Sequence, residues 1–195
     1  MPLSFEQVYH RLRKWAETHS IRVADSSLAA GKAGEFDGIS ITMNSAYDAE
    51  ERAYYLAHAL GSTIGWSLDQ TAIQEMFAEL RDAKLEKSAD RLENAIMGYR
   101  AFENDSSAYA VSILNELGVP QLIGSFTNFM RADLEALTEY HRCGQAPVWR
   151  DFFSRWNAEV TRGLKKVAPF QAKPVPHFSP LRITLQEILQ QQPES

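Results

Sequence analysis

Apolar positions recur at spacings of three and four along most of the chain, a pattern that predicts a mostly helical protein. Phe5, Val8, Tyr9, Leu12, Trp15 and Ala16 form the first stripe, and Ser4 just ahead is placed to cap a helix over Phe5 to Thr18. Its other face carries Arg11, Arg13 and Lys14 and reads as a solvated face. Ile21-Arg22-Val23-Ala24 then reads as a strand, followed by a polar, Gly-containing loop from Asp25 to Gly34. A second strand is expected where Ile39, Ile41 and Met43 alternate with polar residues, with Gly31, Gly34 and Gly38 as turn residues. Together these predict a small sheet of two or three strands beside the next helix.

That helix, from Asp48 to Ile64, organises the rest. At about 100° per residue, Ala53, Leu56, Ala57, Leu60 and Ile64 share one face. His58 and Ser62 point nearly opposite, alongside Tyr54, Tyr55 and Gly65. A helix held by one stripe and presenting a His on the other side can border a cleft; equally, His58 can be a hydrogen-bonded group at an interhelical contact. Gly61 and Gly65, one turn apart, predict close approach of another segment. Asp69 reads as the N-cap of a following helix.

From Gln70 to Leu117 the pattern is helical almost throughout, broken by the mixed charges of Lys84, Glu86, Lys87, Asp90, Arg91 and Glu93, and stopped by Gly118 and Pro120. A further helix is expected over Leu122 to Tyr140, with Leu134 and Leu137 apolar and Arg131, Asp133 and Glu135 polar. Trp149, Phe152, Phe153, Trp156 and Val160 then form an aromatic face that reads as core or as a subunit contact. Pro169, Pro174, Pro176 and Pro180 impose an extended course on Ala168 to Pro180, with a short helix expected from Thr184 to Gln190. The organisation read from these shifts is one domain over 1–167 and a Pro-rich arm over 168–195, lying across its own domain or reaching a neighbour.

The 195 residues suffice for one substantial core, and 45% hydrophobic with 23% charged residues is ordinary for a globular protein. A net charge of −5 provides no field for a phosphate backbone, so no nucleic-acid partner is expected. No apolar run approaches the roughly 18 residues of a membrane helix, and the N-terminus lacks an apolar signal core, so the expectation is a cytoplasmic protein without a membrane partner. Cys143 is the single cysteine, so neither an intrachain disulfide nor a Cys-based zinc site is available. His141 lies two residues from it, a spacing that does not bring side chains together on a helix, and a lone Cys reads as a small buried hydrophobe.

The candidate chemistry sits at His58-Ala59-Leu60-Gly61-Ser62. In an H-E-x-x-H helix two imidazoles one turn apart hold zinc and the intervening Glu is the general base. Here the Glu position is Ala59 and the second His position is Ser62. The strand at Ile39 to Met43, the polar connection through Ser45 to Ala49 and the run from Glu50 to Gly61 resemble the ImmA/IrrE family of zinc-dependent peptidases, in which such a helix ends in H-E-L-G-H. The likeness extends over roughly Phe5 to Leu117. The family's third ligand is a Glu in a run resembling E-x-x-A-N-x-F-A-x-x-L-L, which Glu103 to Leu114 fits with Ser106 for Ala, Ser107 for Asn and Tyr109 for Phe. The resemblance implies a zincin-like α+β fold, with His58, Ser62 and Glu103 at the former metal positions and Ala59 at the former base. At the start of its apolar run, Glu103 equally reads as a helix-dipole or surface carboxylate.

Catalytic zinc takes three protein ligands and a water, and the missing base is itself worth roughly 10² to 10⁴ in rate. The expectation is therefore a metallopeptidase-like protein without catalytic residues and without resident zinc, kept as a protein-binding or regulatory module. Two alternatives stand beside it. One is an active hydrolase with a rearranged site drawing on His58, Glu103 and a distant residue such as His141 or Asp69. The other is a structural or homo-oligomerising domain built on the aromatic C-terminal helices.

Overall fold

A computed structural model describes residues 3–29, 32–182 and 184. The expected helix from Thr184 to Gln190, apart from Thr184 itself, and the turn at Gly31 lie outside the described residues. The described chain is mostly helical with one small sheet, so the α+β class expected from the pattern holds at that level.

The first helix, α1 (Phe5–Thr18), begins at a capping box in which Ser4 accepts from the Gln7 backbone and the Gln7 side chain accepts from that of Ser4. Its stripe of Val8, Tyr9, Leu12, Trp15 and Ala16 is buried. The basic face stays at the surface but is not idle, since Arg13 pairs with Asp25 at 2.7 Å and Arg11 donates to the Leu117 carbonyl at 2.8 Å. Strands β1 (Arg22–Ser26), β2 (Gly34–Phe36) and β3 (Ser40–Asn44) form a sheet of order β1-β3-β2. β1 runs parallel to β3 and β2 antiparallel. Gly34 belongs to β2 rather than to a turn, where a Cβ would stand 3.1 Å from the Thr42 carbonyl. Gly38, at φ 95°, makes the tight turn instead. Alternation on β3 buries Ile41 and Met43 towards the helices, whereas Ile39 falls before the strand.

Asp48 caps α2 (Ala49–Leu68), accepting from the Glu51 backbone. The predicted face of Ala53, Leu56, Ala57, Leu60 and Ile64 is buried, but Tyr54, expected on the cleft side, is buried as well. The helix is central and has neighbours on more than one side: Tyr54 meets Phe5 from α1 and Phe126 and Phe129 from α5. Asp69 ends α2 and caps α3 (Gln70–Glu86), as its position predicts. Lys87 turns the chain in the left-handed conformation, and Ser88 caps α4 (Ala89–Glu116). The 28 residues of α4 span two apolar clusters. Its first half, with Ala95, Ile96 and Tyr99, packs on Leu80 and Ala83 of α3, and its second half, with Tyr109, Ile113 and Leu114, joins the main core around α1 and α2.

A short 3₁₀ turn (Pro120–Leu122) leads into α5 (Ile123–Cys143), and α6 (Trp149–Thr161) packs against it. The aromatic face of α6 is used within the chain: Trp149 and Phe153 lie edge-on to Phe129, and the buried Trp156 donates to Asn128 at 2.8 Å. Cys143 is exposed, contrary to the expectation of a buried hydrophobe, because it occupies the last position of α5 before Gly144 ends the helix. Beyond α6 the described part of the arm has no helix or strand, and it packs back on its own chain. Phe170 is buried in the main core, Arg131 sits over its ring at 3.9 Å, and Ser112 donates to the Lys173 carbonyl at 2.7 Å.

Candidate functional site

The middle of α4 lies between the two apolar clusters, and there α2, α3, α4, α5 and the sheet line an open cavity of about 410 Å³. The approach of α2 to α4 depends on glycine. A Cβ on Gly61 would overlap the Ser106 carbonyl oxygen and lie 3.2 Å from the Ala110 nitrogen, so the backbones touch where a side chain would hold them apart. This contact brings His58 and Glu103, 45 positions apart, to 2.7 Å between Nε2 and Oε2. Both side chains are largely buried, with relative exposures of 14% and 12%, and both line the cavity. Glu103 is thus neither a surface acid nor at a helix end. His58 Nδ1 meets Ser107 Oγ at 3.2 Å, so the ring is fixed through both nitrogens.

Burial by itself would depress the His58 pKa; the Glu103 carboxylate overrides it, helped by Asp133, and the imidazole is raised above its ordinary value. Asp133, on α5, also lines the cavity and accepts from the Tyr55 hydroxyl at 3.1 Å. Burial first and then Glu103 push it up to about 6, against the opposing pulls of His58 and Tyr55. Its side chain is half-buried and lines the cavity. Tyr99, hydrogen-bonded to Glu103, is raised by burial and by the two carboxylates. Asp133 was not legible as a site residue from the chain alone. A signal existed: it interrupts the apolar series Phe126, Phe129 and Leu137 at a helical spacing, where a polar residue is out of place.

The remaining expected residues fall as follows. Ser62 lines the cavity, but its hydroxyl donates to the His58 carbonyl at 3.2 Å, one turn back on the same helix. Ala59 lines it too and offers no base. Asp69 is spent on the α3 cap, and His141 is bonded to Lys84 at 2.8 Å and edge-on to Tyr99; neither lines the cavity. Neither of these two residues joins His58 and Glu103 at the cavity. Ser107, His58 and Glu103 do stand in the order of a Ser-His-acid triad, but with the roles reversed in space. The serine is 2% exposed behind the imidazole, and the acid faces the cavity, so the hydroxyl has no path to a substrate. Cys143 points to the Gln145 carbonyl rather than to His141.

As metal donors, His58 and Glu103 are engaged with each other and Ser62 with the backbone. Among the described residues no three His, Cys, Asp or Glu side chains stand together as a metal-ligand set. The side chains at the former ligand positions are one imidazole, one carboxylate and one hydroxyl bonded to the backbone, a set that differs from the His-His-Glu set of a catalytic zinc by the neutral hydroxyl. Among the described residues no helix is long and apolar enough to cross a membrane. Comparison of the chain with models of known protein families, with curated proteins and with solved structures finds no match.

Proposed function

We propose that this protein is a metallopeptidase-like module without catalysis, related to the ImmA/IrrE peptidases and using the cavity beside α2 to bind a partner. The observation that carries the reading is the His58–Glu103 contact, made between the helix that resembles H-E-L-G-H and the helix that resembles the third-ligand run. A strand alongside α2 supports it, since β2 and β3 supply the opposite wall of the same cavity. What is kept is the arrangement that brings the first and third ligand positions together. What is gone is the base at Ala59 and the second imidazole at Ser62. With base and metal both lost, the water would be neither deprotonated nor polarised, and peptide hydrolysis has no mechanism here. A protein partner follows by analogy with family members that act on repressor proteins.

Metal analysis of protein purified in zinc-supplemented medium tests this directly, together with an assay of peptide cleavage. The expected result is substoichiometric zinc and no cleavage. One tightly held zinc per chain, or chelator-sensitive cleavage abolished in His58→Ala, would end the proposal.

A further inference from the structure

The cavity has a charge imbalance that its own side chains do not correct. Glu35, Glu103 and Asp133 line it; Glu35 is exposed and paired with Lys32 at 2.7 Å, and among the described residues the one basic side chain on its wall is His58, already bonded to Glu103. Asp133 is bonded to the neutral Tyr55 hydroxyl. The nearby arginines are turned elsewhere: Arg100 to Glu135 and Thr138, Arg131 to Asn104 and the Ala168 carbonyl. The rest of the lining is mostly apolar. Trp66, Phe77 and Phe102 pack on one another with ring centroids 5.7 to 6.4 Å apart, forming an aromatic wall, and Phe36 faces the cavity from the sheet. A volume of about 410 Å³ is that of a small-molecule or side-chain pocket rather than a packing defect.

We propose that this cavity binds an organic cation, a primary ammonium on an apolar stem, with the stem against the aromatic wall and the ammonium beside the carboxylates of Glu103 and Asp133. The proposal rests on the reading of the cavity as a metal-free binding site. A buried carboxylate lacking a cationic partner gains most from a ligand that brings one, because both the Coulomb attraction and the charge-assisted hydrogen bonds act out of bulk water. Aromatic faces favour the same ligand, since their negative quadrupole attracts a cation and their area buries its stem. A neutral ligand of the same shape gains the second of these contributions only in part, and an anion meets repulsion. Two sources carry this chemistry: a free amine, or the side chain of a lysine on a protein partner.

Isothermal titration of the full chain with benzylamine, benzyl alcohol, benzoate and the tripeptide Gly-Lys-Gly tests the proposal, with zinc content measured on the same sample. Benzylamine or the tripeptide is expected to bind at least about ten-fold more tightly than benzyl alcohol, and benzoate not to saturate. Asp133→Asn and Glu103→Gln should each weaken the amine by roughly 10- to 100-fold, the range for a hydrogen bond to a charged group. Tighter binding of benzylamine assigns the site to a free amine, and tighter binding of the tripeptide assigns it to a lysine side chain. Equal binding of benzylamine and benzyl alcohol, or full affinity in a folded Asp133→Asn variant, would overturn it. So would the absence of binding in a zinc-free sample, which leaves the proposed function standing; a zinc-loaded sample overturns the proposed function instead.

Discussion

Replacing Asp133 by Asn isolates the cost of holding a carboxylate in the cavity. A carboxyl that ordinarily titrates at 3.8 and does so here at about 6 loses about 3 kcal/mol of folding stability once ionised. The sign follows from proton binding: between these two values the folded state holds the proton and the unfolded chain does not, so stability falls as pH rises through that window. Above it the loss is complete. Asparagine is nearly isosteric with the protonated acid and keeps a carbonyl oxygen for the Tyr55 hydroxyl, so the bond at 3.1 Å survives the change. Burying the amide N–H₂ gives back about 1 kcal/mol of this, so Asp133→Asn should gain about 2 kcal/mol at pH 8 and almost nothing at pH 4. For a chain of this length the gain at pH 8 corresponds to a rise in Tm of about 4–8 °C. Thermal and urea unfolding of both proteins from pH 4 to pH 8 measures it. A variant less stable than the parent at pH 8, or a gain of equal size at both ends of the range, would refute the reasoning. A stabilising substitution that also weakens amine binding would mark Asp133 as a residue retained at the expense of stability, as binding sites commonly require.

Two further substitutions probe the frame that holds the site. His58→Ala leaves Glu103 buried without its partner and should cost about 3 kcal/mol at pH 6. Because the folded His58 pKa is raised, its contribution is complete below 6.5 and is lost as pH rises through the folded value, so urea titrations should show the gap narrowing by pH 9; a gap that widens with pH contradicts this. Gly61→Ala places a methyl group on the Ser106 carbonyl, a backbone atom that cannot swing aside, and should cost roughly 3 kcal/mol despite the better helix propensity of alanine. Retained stability in that variant, measured by the same unfolding curves, would show that α2 and α4 do not meet as closely as described.

The elements themselves were written locally. Ser4 and the stripe from Phe5 to Ala16 define α1 to its last residue, since a capping box and a three-and-four spacing need no distant partner. Asp69 likewise starts α3 because it can satisfy a free backbone N–H by itself, whereas the break before α4 showed in the chain only as a run of mixed charge and its cap, Ser88, came from the structure. The strand at β3 declared itself by alternation. The His58–Glu103 pair was legible only through resemblance to a family pattern, since nothing in a separation of 45 residues states a distance of 2.7 Å.

What tertiary structure alone decided is which polar residues share a buried space. Asp133 looks in the chain like one more solvated acid between Arg131 and Glu135, and becomes a cavity residue because α5 turns that position inward beside Tyr55. Ser107 and Ser62 look alike as small polar substitutions, yet one braces the imidazole and the other bonds back to its own helix. Periodicity reports whether a side chain faces in or out, because that depends on neighbours three and four positions away. Partnership, burial and the resulting pKa depend on groups supplied by other helices, and those are chosen only when the helices pack.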